Sequence, residues 1–158
     1  PNAIKQAQKL SNIKDYSIGS YHSILKLVEN SAKLQTTETP NILGIYLLDA
    51  VVKDFLKIGI TKLRSRLNRQ AQMLYSFFSK PESYSAFVNL RHYQSISTPV
   101  FQIIGGSEPI RKFTAEKGLI LGAGYSDFKN QHIRIGNFPA LSENDTKNLI
   151  KVLGKFKP

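Results

Sequence analysis

The segment 42–57, ILGIYLLDAVVKDFLK, is apolar nearly all the way round, with Asp49, Lys53 and Asp54 as its main polar interruptions. A helix without a polar face needs cover on every side, so a fold for this chain is expected to bury this element. It falls short of the roughly 18 apolar residues that a membrane span takes. Its start is marked by TTETPN at 36–41, which reads as a Thr39 cap followed by Pro40 at the first helical position, where a missing N–H costs nothing. Asp49 and Lys53 stand four apart with the acid first, the favourable order on a helix, and Gly59 supplies a stop.

The flanking pattern changes character at Pro81. Before it, Asn2 and the spacing of Ala3, Ile4, Ala7 and Leu10 predict a short helix over 2–10. Gly19 and Ser20 precede a second helix running through Ile24, Leu25, Leu27 and Val28 to 32 or 34. Ile60, Leu63, Leu67, Leu74 and Phe78 keep a 3.6-residue period while Lys62, Arg64, Arg66 and Arg69 lie off it, so a long amphipathic helix spans 61–79. After Pro81, segments 84–88 and 98–104 read as strands, and 107–117 as a helix capped by Ser107 and stopped by Gly118. Short strands follow at 119–121 and 132–135, then a helix capped by Ser142 with Asp145 three residues on and Leu149, Ile150, Val152 and Leu153 on its apolar face. This order gives a small α+β layer, a sheet covered by helices, preceded by a mostly helical segment.

Charge needs care. The 22 basic and 11 acidic residues leave a net charge of +11, which invites a nucleic-acid reading. The basic residues are scattered, however, with no block of like charge, as on a solvated surface or beside small anions. GIY at 44–46 and KIG at 57–59 resemble the signature of the GIY-YIG nucleases, in which the two tripeptides lie on paired strands. The intervening LLDAVVKDFL holds no Gly, Pro or Asn to make the turn, so a basic nuclease or nucleic-acid-binding module is set aside as the alternative of a different class. With no cysteine, thiol nucleophiles, disulfides and iron–sulfur sites are excluded. His22, His92 and His132 are too far apart in sequence to suggest a metal site.

What remains is anion chemistry. TTETP places threonine hydroxyls and backbone donors at a helix start, where the helix dipole favours negative charge, although Thr39 as a plain cap explains the same residues. Arg134, between Ile133 and Ile135 on a short strand, faces away from both. It is either a solvating arginine at a sheet edge or a planar fork for a carboxylate.

The runs TTETPNILGIYLL, LNRQAQMLYSFF, AEKGLILGAGY and IRIGNFPALSENDTKNLIKVL together resemble, in order, the C-terminal portion of the class V pyridoxal-phosphate-dependent aminotransferases, nearest to the phosphoserine aminotransferase group. The resemblance implies an α/β protein of fold type I. Residues 1–60 would end its large cofactor-binding domain, 61–80 would form a connecting helix, and 81–158 would form the small α+β domain. It implies a cytoplasmic homodimer with shared active sites, small amino-acid and 2-oxo-acid substrates, and neither nucleic acid nor membrane as partner. Glutamate would give its amino group to 3-phosphohydroxypyruvate in serine biosynthesis; the alternative within the class is an enzyme of the serine/alanine:glyoxylate type. On the matching positions Thr39, and more weakly Thr36, would hold the cofactor phosphate, and Arg134 would hold the substrate α-carboxylate. Glu38 departs from an asparagine common in the group. YSDFKNQHIR replaces a His-Arg pair that holds the substrate phosphate, leaving Lys129 and His132 as stand-ins and Asp127 opposed. The Schiff-base lysine would lie upstream of Pro1, so the chain alone, opening without methionine, is expected to be an inactive piece.

Overall fold

Among the described residues, helices are the only regular elements of the first part of the chain. The computed structural model describes residues 2–13, 23–80 and 82–157, so the readings placed on Gly19, Ser20, His22 and Pro81 lie outside the described residues. The chain divides into two units, 1–53 and 54–158, described here separately. In the first, α1 (Asn2–Ser11) and α2 (Ile24–Ala32) follow the expected periodicity, and the Ser23 hydroxyl caps α2 by accepting the Lys26 N–H.

Helix α3 (Ile42–Ile58) starts three residues past Thr39, which corrects the expected cap. The Asn41 side-chain oxygen accepts the Gly44 N–H at 2.9 Å and the Asn41 carbonyl accepts the Ile45 N–H at 3.0 Å, leaving Pro40 before the cap. Asparagine caps at least as well as threonine, and one residue later it captures the role. A Cβ on Gly44 would come within 2.7 Å of the Asn41 amide nitrogen, so the glycine of the GIY run serves the cap. Residues 44–46 and 57–58 share one helix, which removes the paired strands a GIY-YIG nuclease needs.

Burial of α3 is the second correction. Most of its apolar side chains, among them Leu43, Leu48 and Leu56, are exposed, Phe55 is half-buried, and no described residue of the first unit is buried. A helix apolar on every side is covered only where surfaces meet it on every side, and the described residues of the first unit do not supply them. The Asp49–Lys53 pair forms at 2.6 Å on its exposed surface.

Gly59, with φ +88°, ends α3 in a conformation that favours glycine, and α4 (Ile60–Phe78) follows at once. Its stripe buries Leu63, Ala71, Leu74 and Phe78. Strands β1 (Tyr84–Ala86), β2 (Val100–Ile103), β3 (Gly122–Ala123) and β4 (His132–Arg134) form an antiparallel sheet ordered β1-β2-β4-β3. Pairs Tyr84↔Ile103 and Phe101↔Ile133 put one face on the core with Leu74 and Phe78 of α4, Ile110 of α5 (Glu108–Ala115), and Leu149 and Leu153 of α6 (Glu143–Leu153). The Phe78 and Phe101 rings stack 4.0 Å apart. Ser142 and Asp145 form the expected capping box at α6. The α+β reading of the second half therefore stands.

Two local expectations change. The strand expected at 119–121 lies at 122–123, because the Leu119 N–H closes the end of α5 on the Thr114 carbonyl at 2.9 Å and is lost to a ladder. Ser107 makes no side-chain cap. Its hydroxyl and N–H instead bond the carbonyls of Lys129 and Asn130, tying the start of α5 to that loop. Among the described residues no helix is long and apolar enough to cross a membrane.

Candidate functional site

The expected site residues fall in two places, Thr36 and Thr39 in the first unit and Lys129, His132 and Arg134 in the second. Helix α2 ends in a Schellman turn. The Gln35 N–H reaches the Asn30 carbonyl at 2.9 Å and the Leu34 N–H the Ser31 carbonyl at 3.0 Å, with Leu34 in the left-handed region at φ +55°. That sharp turn sends 36–40 along an open groove of about 740 Å³, lined by Leu27 and Ser31 of α2 and by Thr36, Glu38, Thr39 and Pro40. Thr36 donates its hydroxyl proton to the Glu38 carbonyl at 2.6 Å, and Asn30 donates to the Thr37 hydroxyl at 3.4 Å. Among the described residues the Thr39 hydroxyl and the N–H groups of 37–39 have no partner, a donor set that suits a phosphate. Glu38 sets a carboxylate on the same wall and opposes an anion there.

Arg134 stands on the sheet face turned away from the core, paired across the ladder with Val100 on one side and Gly122 on the other. As β4 is an interior strand, the edge-strand alternative for this arginine falls. Its Nε–H donates to the Ala123 carbonyl at 2.6 Å and its guanidinium carbon lies 4.3 Å above the centre of the Tyr125 ring. Neither terminal nitrogen has a partner among the described residues, so the forked end is left to accept a planar anion such as a carboxylate.

His132 lies two residues back on the same face but is only 3% exposed. Its ring is parallel to that of Phe128 at 4.7 Å and lies 4.4 Å from that of Phe87. Burial lowers its pKa and favours the neutral ring. An uncharged imidazole between two phenyl rings is poorly suited to hold a phosphate. Lys129, at the end of the 3₁₀ turn Ser126–Phe128, is exposed. Among the described residues no group of His, Asp and Glu is placed to hold a metal ion.

No family model matches the chain. A phosphoserine aminotransferase of Corynebacterium glutamicum (strain R) is 26% identical over 152 residues, 94% of this chain and 40% of that protein. The crystal structure of a phosphoserine aminotransferase from Cytophaga hutchinsonii matches with a TM-score of 0.87 at 30% identity, over 98% of this chain and 43% of that one. The chain is similar to phosphoserine aminotransferases over nearly its whole length. An aspartate aminotransferase of subgroup IV from Thermus thermophilus, at 15% identity and a TM-score of 0.73 over 90% of this chain and 41% of that one, shares the fold. The chain thus spans about two fifths of the length of these relatives.

The sequence reading missed Asn41, Ala123 and Tyr125. Asn41 was legible, since Asn follows Pro40 directly and leads all cap residues. Tyr125 and the Ala123 carbonyl meet Arg134 only through the β3–β4 pairing, which no local signal encodes.

Proposed function

We propose that this chain is the C-terminal part of a pyridoxal-phosphate-dependent aminotransferase of class V, a cytoplasmic homodimer that transfers the amino group of glutamate to 3-phosphohydroxypyruvate in serine biosynthesis. The observation that carries the reading is the Arg134 fork, held at Nε and open at both terminal nitrogens, in a chain similar to phosphoserine aminotransferases over nearly its whole length. The cofactor, when bound, supplies the electron sink that lets a bond at the substrate Cα break. The free hydroxyl and amide donors at Thr39 fit its phosphate, whereas the Thr36 hydroxyl proton is engaged by the Glu38 carbonyl. In the homodimer they would serve the cofactor bound by the neighbouring subunit. Arg134 takes the α-carboxylate through two parallel N–H···O bonds, which fixes the orientation of the Cα bonds. The chain alone supports no turnover, because the lysine that carries the cofactor belongs to the remainder of the protein.

A second reading, an aminotransferase for a 2-oxo acid without a phosphate, is favoured by one observation. His132 is buried and neutral, which leaves Lys129 as the only cation of the 125–131 loop, against Asp127.

The test of the site is Arg134→Ala in the full-length protein. KM for glutamate is expected to rise roughly 10- to 100-fold, the range for bonds to a charged partner, with the cofactor absorbance intact. Loss of cofactor absorbance with KM unchanged would contradict the assignment.

A further inference from the structure

The geometry points to Tyr125 as a positioning residue that holds the Arg134 guanidinium plane, an inference that rests on the carboxylate-binding role proposed for Arg134. An arginine side chain on a sheet face has many rotamers, and a bidentate grip needs one of them. Two contacts select it here. The Nε–H bond to the Ala123 carbonyl fixes one edge of the guanidinium, and the Tyr125 ring lies beneath its carbon at 4.3 Å, where the face of the ring attracts a cation. Together they leave the forked end clear.

The backbone around Tyr125 is built for this placement. Ser126, the next residue, is in the left-handed region at φ +47°, a conformation that strains a non-glycine residue. Gly124, the residue before, has no room for a side chain, since a Cβ there would run into the Phe128 carbonyl. Across the ladder a Cβ on Gly122 would approach the Arg134 carbonyl oxygen to a tight 3.3 Å, so glycine allows the close pairing of β3 with the strand that carries Arg134. The Tyr125 side chain itself is 72% exposed, and its hydroxyl has no partner among the described residues. Core burial therefore does not account for where the ring stands. A strained loop that lays an exposed aromatic ring under a functional cation fits a positioning role.

The test uses steady-state kinetics of the full-length enzyme with glutamate as amino donor. Tyr125→Ala is expected to raise KM for glutamate about two- to five-fold, the range of an exposed cation–π contact, with kcat within two-fold and thermal stability unchanged. Tyr125→Phe, which keeps the ring, is expected to restore KM. A wild-type KM in Tyr125→Ala, alongside a raised KM in Arg134→Ala, would overturn the positioning role and leave the function standing. A wild-type KM in both variants would overturn the carboxylate site itself. A second readout needs no turnover: in the ¹⁵N-labelled full-length protein, Tyr125→Ala is expected to shift the Arg134 Nε–H resonance downfield as the ring current is lost. An unmoved resonance overturns the inference.

Discussion

The two units of this chain share an apolar composition and differ in what that composition achieves. Helix α3 is the more apolar and lies exposed along its length. Helix α4 carries Lys62, Arg64, Arg66 and Arg69 and still places four apolar residues in a core. The difference lies in partners, because α4 meets a sheet and α6 with matching apolar faces, whereas no described residue of the first unit is buried. Hydrophobic stabilisation follows the area removed from water, so the apolar residues of α3 contribute little while uncovered. Exposed ion pairs such as Lys53–Asp49 and Lys33–Glu29 are screened by solvent and add little.

The comparison breaks most visibly at the core. Phe78→Ala removes a fully buried ring stacked on Phe101 and is expected to cost about 3–5 kcal/mol, whereas Leu48→Ala on α3 is expected to stay within about 0.5 kcal/mol. Urea unfolding followed by near-ultraviolet circular dichroism reads both. Equal losses would mean that the first unit has a core of its own.

A smaller contrast comes from the caps. Ser142→Ala breaks the box at α6 and is expected to lower the stability of the second unit by about 1 kcal/mol. Asn41→Ala removes an equivalent bond at α3 and is expected to reduce helical signal without moving that transition.

The smallest effect is a pH dependence confined to the second unit. Burial lowers the folded-state pKa of His132, so below its ordinary value near 6.5 the unfolded chain takes up a proton that the folded chain refuses. Stability should therefore fall as pH drops from about 6.5 toward the lowered value and stay flat above. His132→Phe should remove that slope, which denaturation midpoints across the range will show.

Much of this was legible from local signals. The Ser142–Asp145 box and the strand carrying Arg134 are written in spacing and form as read, and the α4 stripe buries Leu63, Leu74 and Phe78 as expected but leaves Ile60 exposed. The helix over 42–58 was legible as a helix, but its burial was not, because burial depends on what surrounds it. The β3 strand lies two or three residues later than read because the Leu119 amide has a competing use at the end of α5. Of the site, Arg134 and the threonine run could be found in the sequence, while the Tyr125 ring and Ala123 carbonyl that hold the arginine depend on strand register. His132 shows the limit of reading charge from residue type: between Phe87 and Phe128, on the sheet face away from the core, it is a buried aromatic ring more than a cation.

The most direct test is a substrate panel on the full-length protein with pyridoxal phosphate, glutamate as donor, and 2-oxo acids with and without a phosphate group. Cofactor-dependent consumption of glutamate, fastest with 3-phosphohydroxypyruvate, is the expected result. Preference for an acid without a phosphate would favour the second reading, and no consumption of glutamate with any acid would contradict the aminotransferase function.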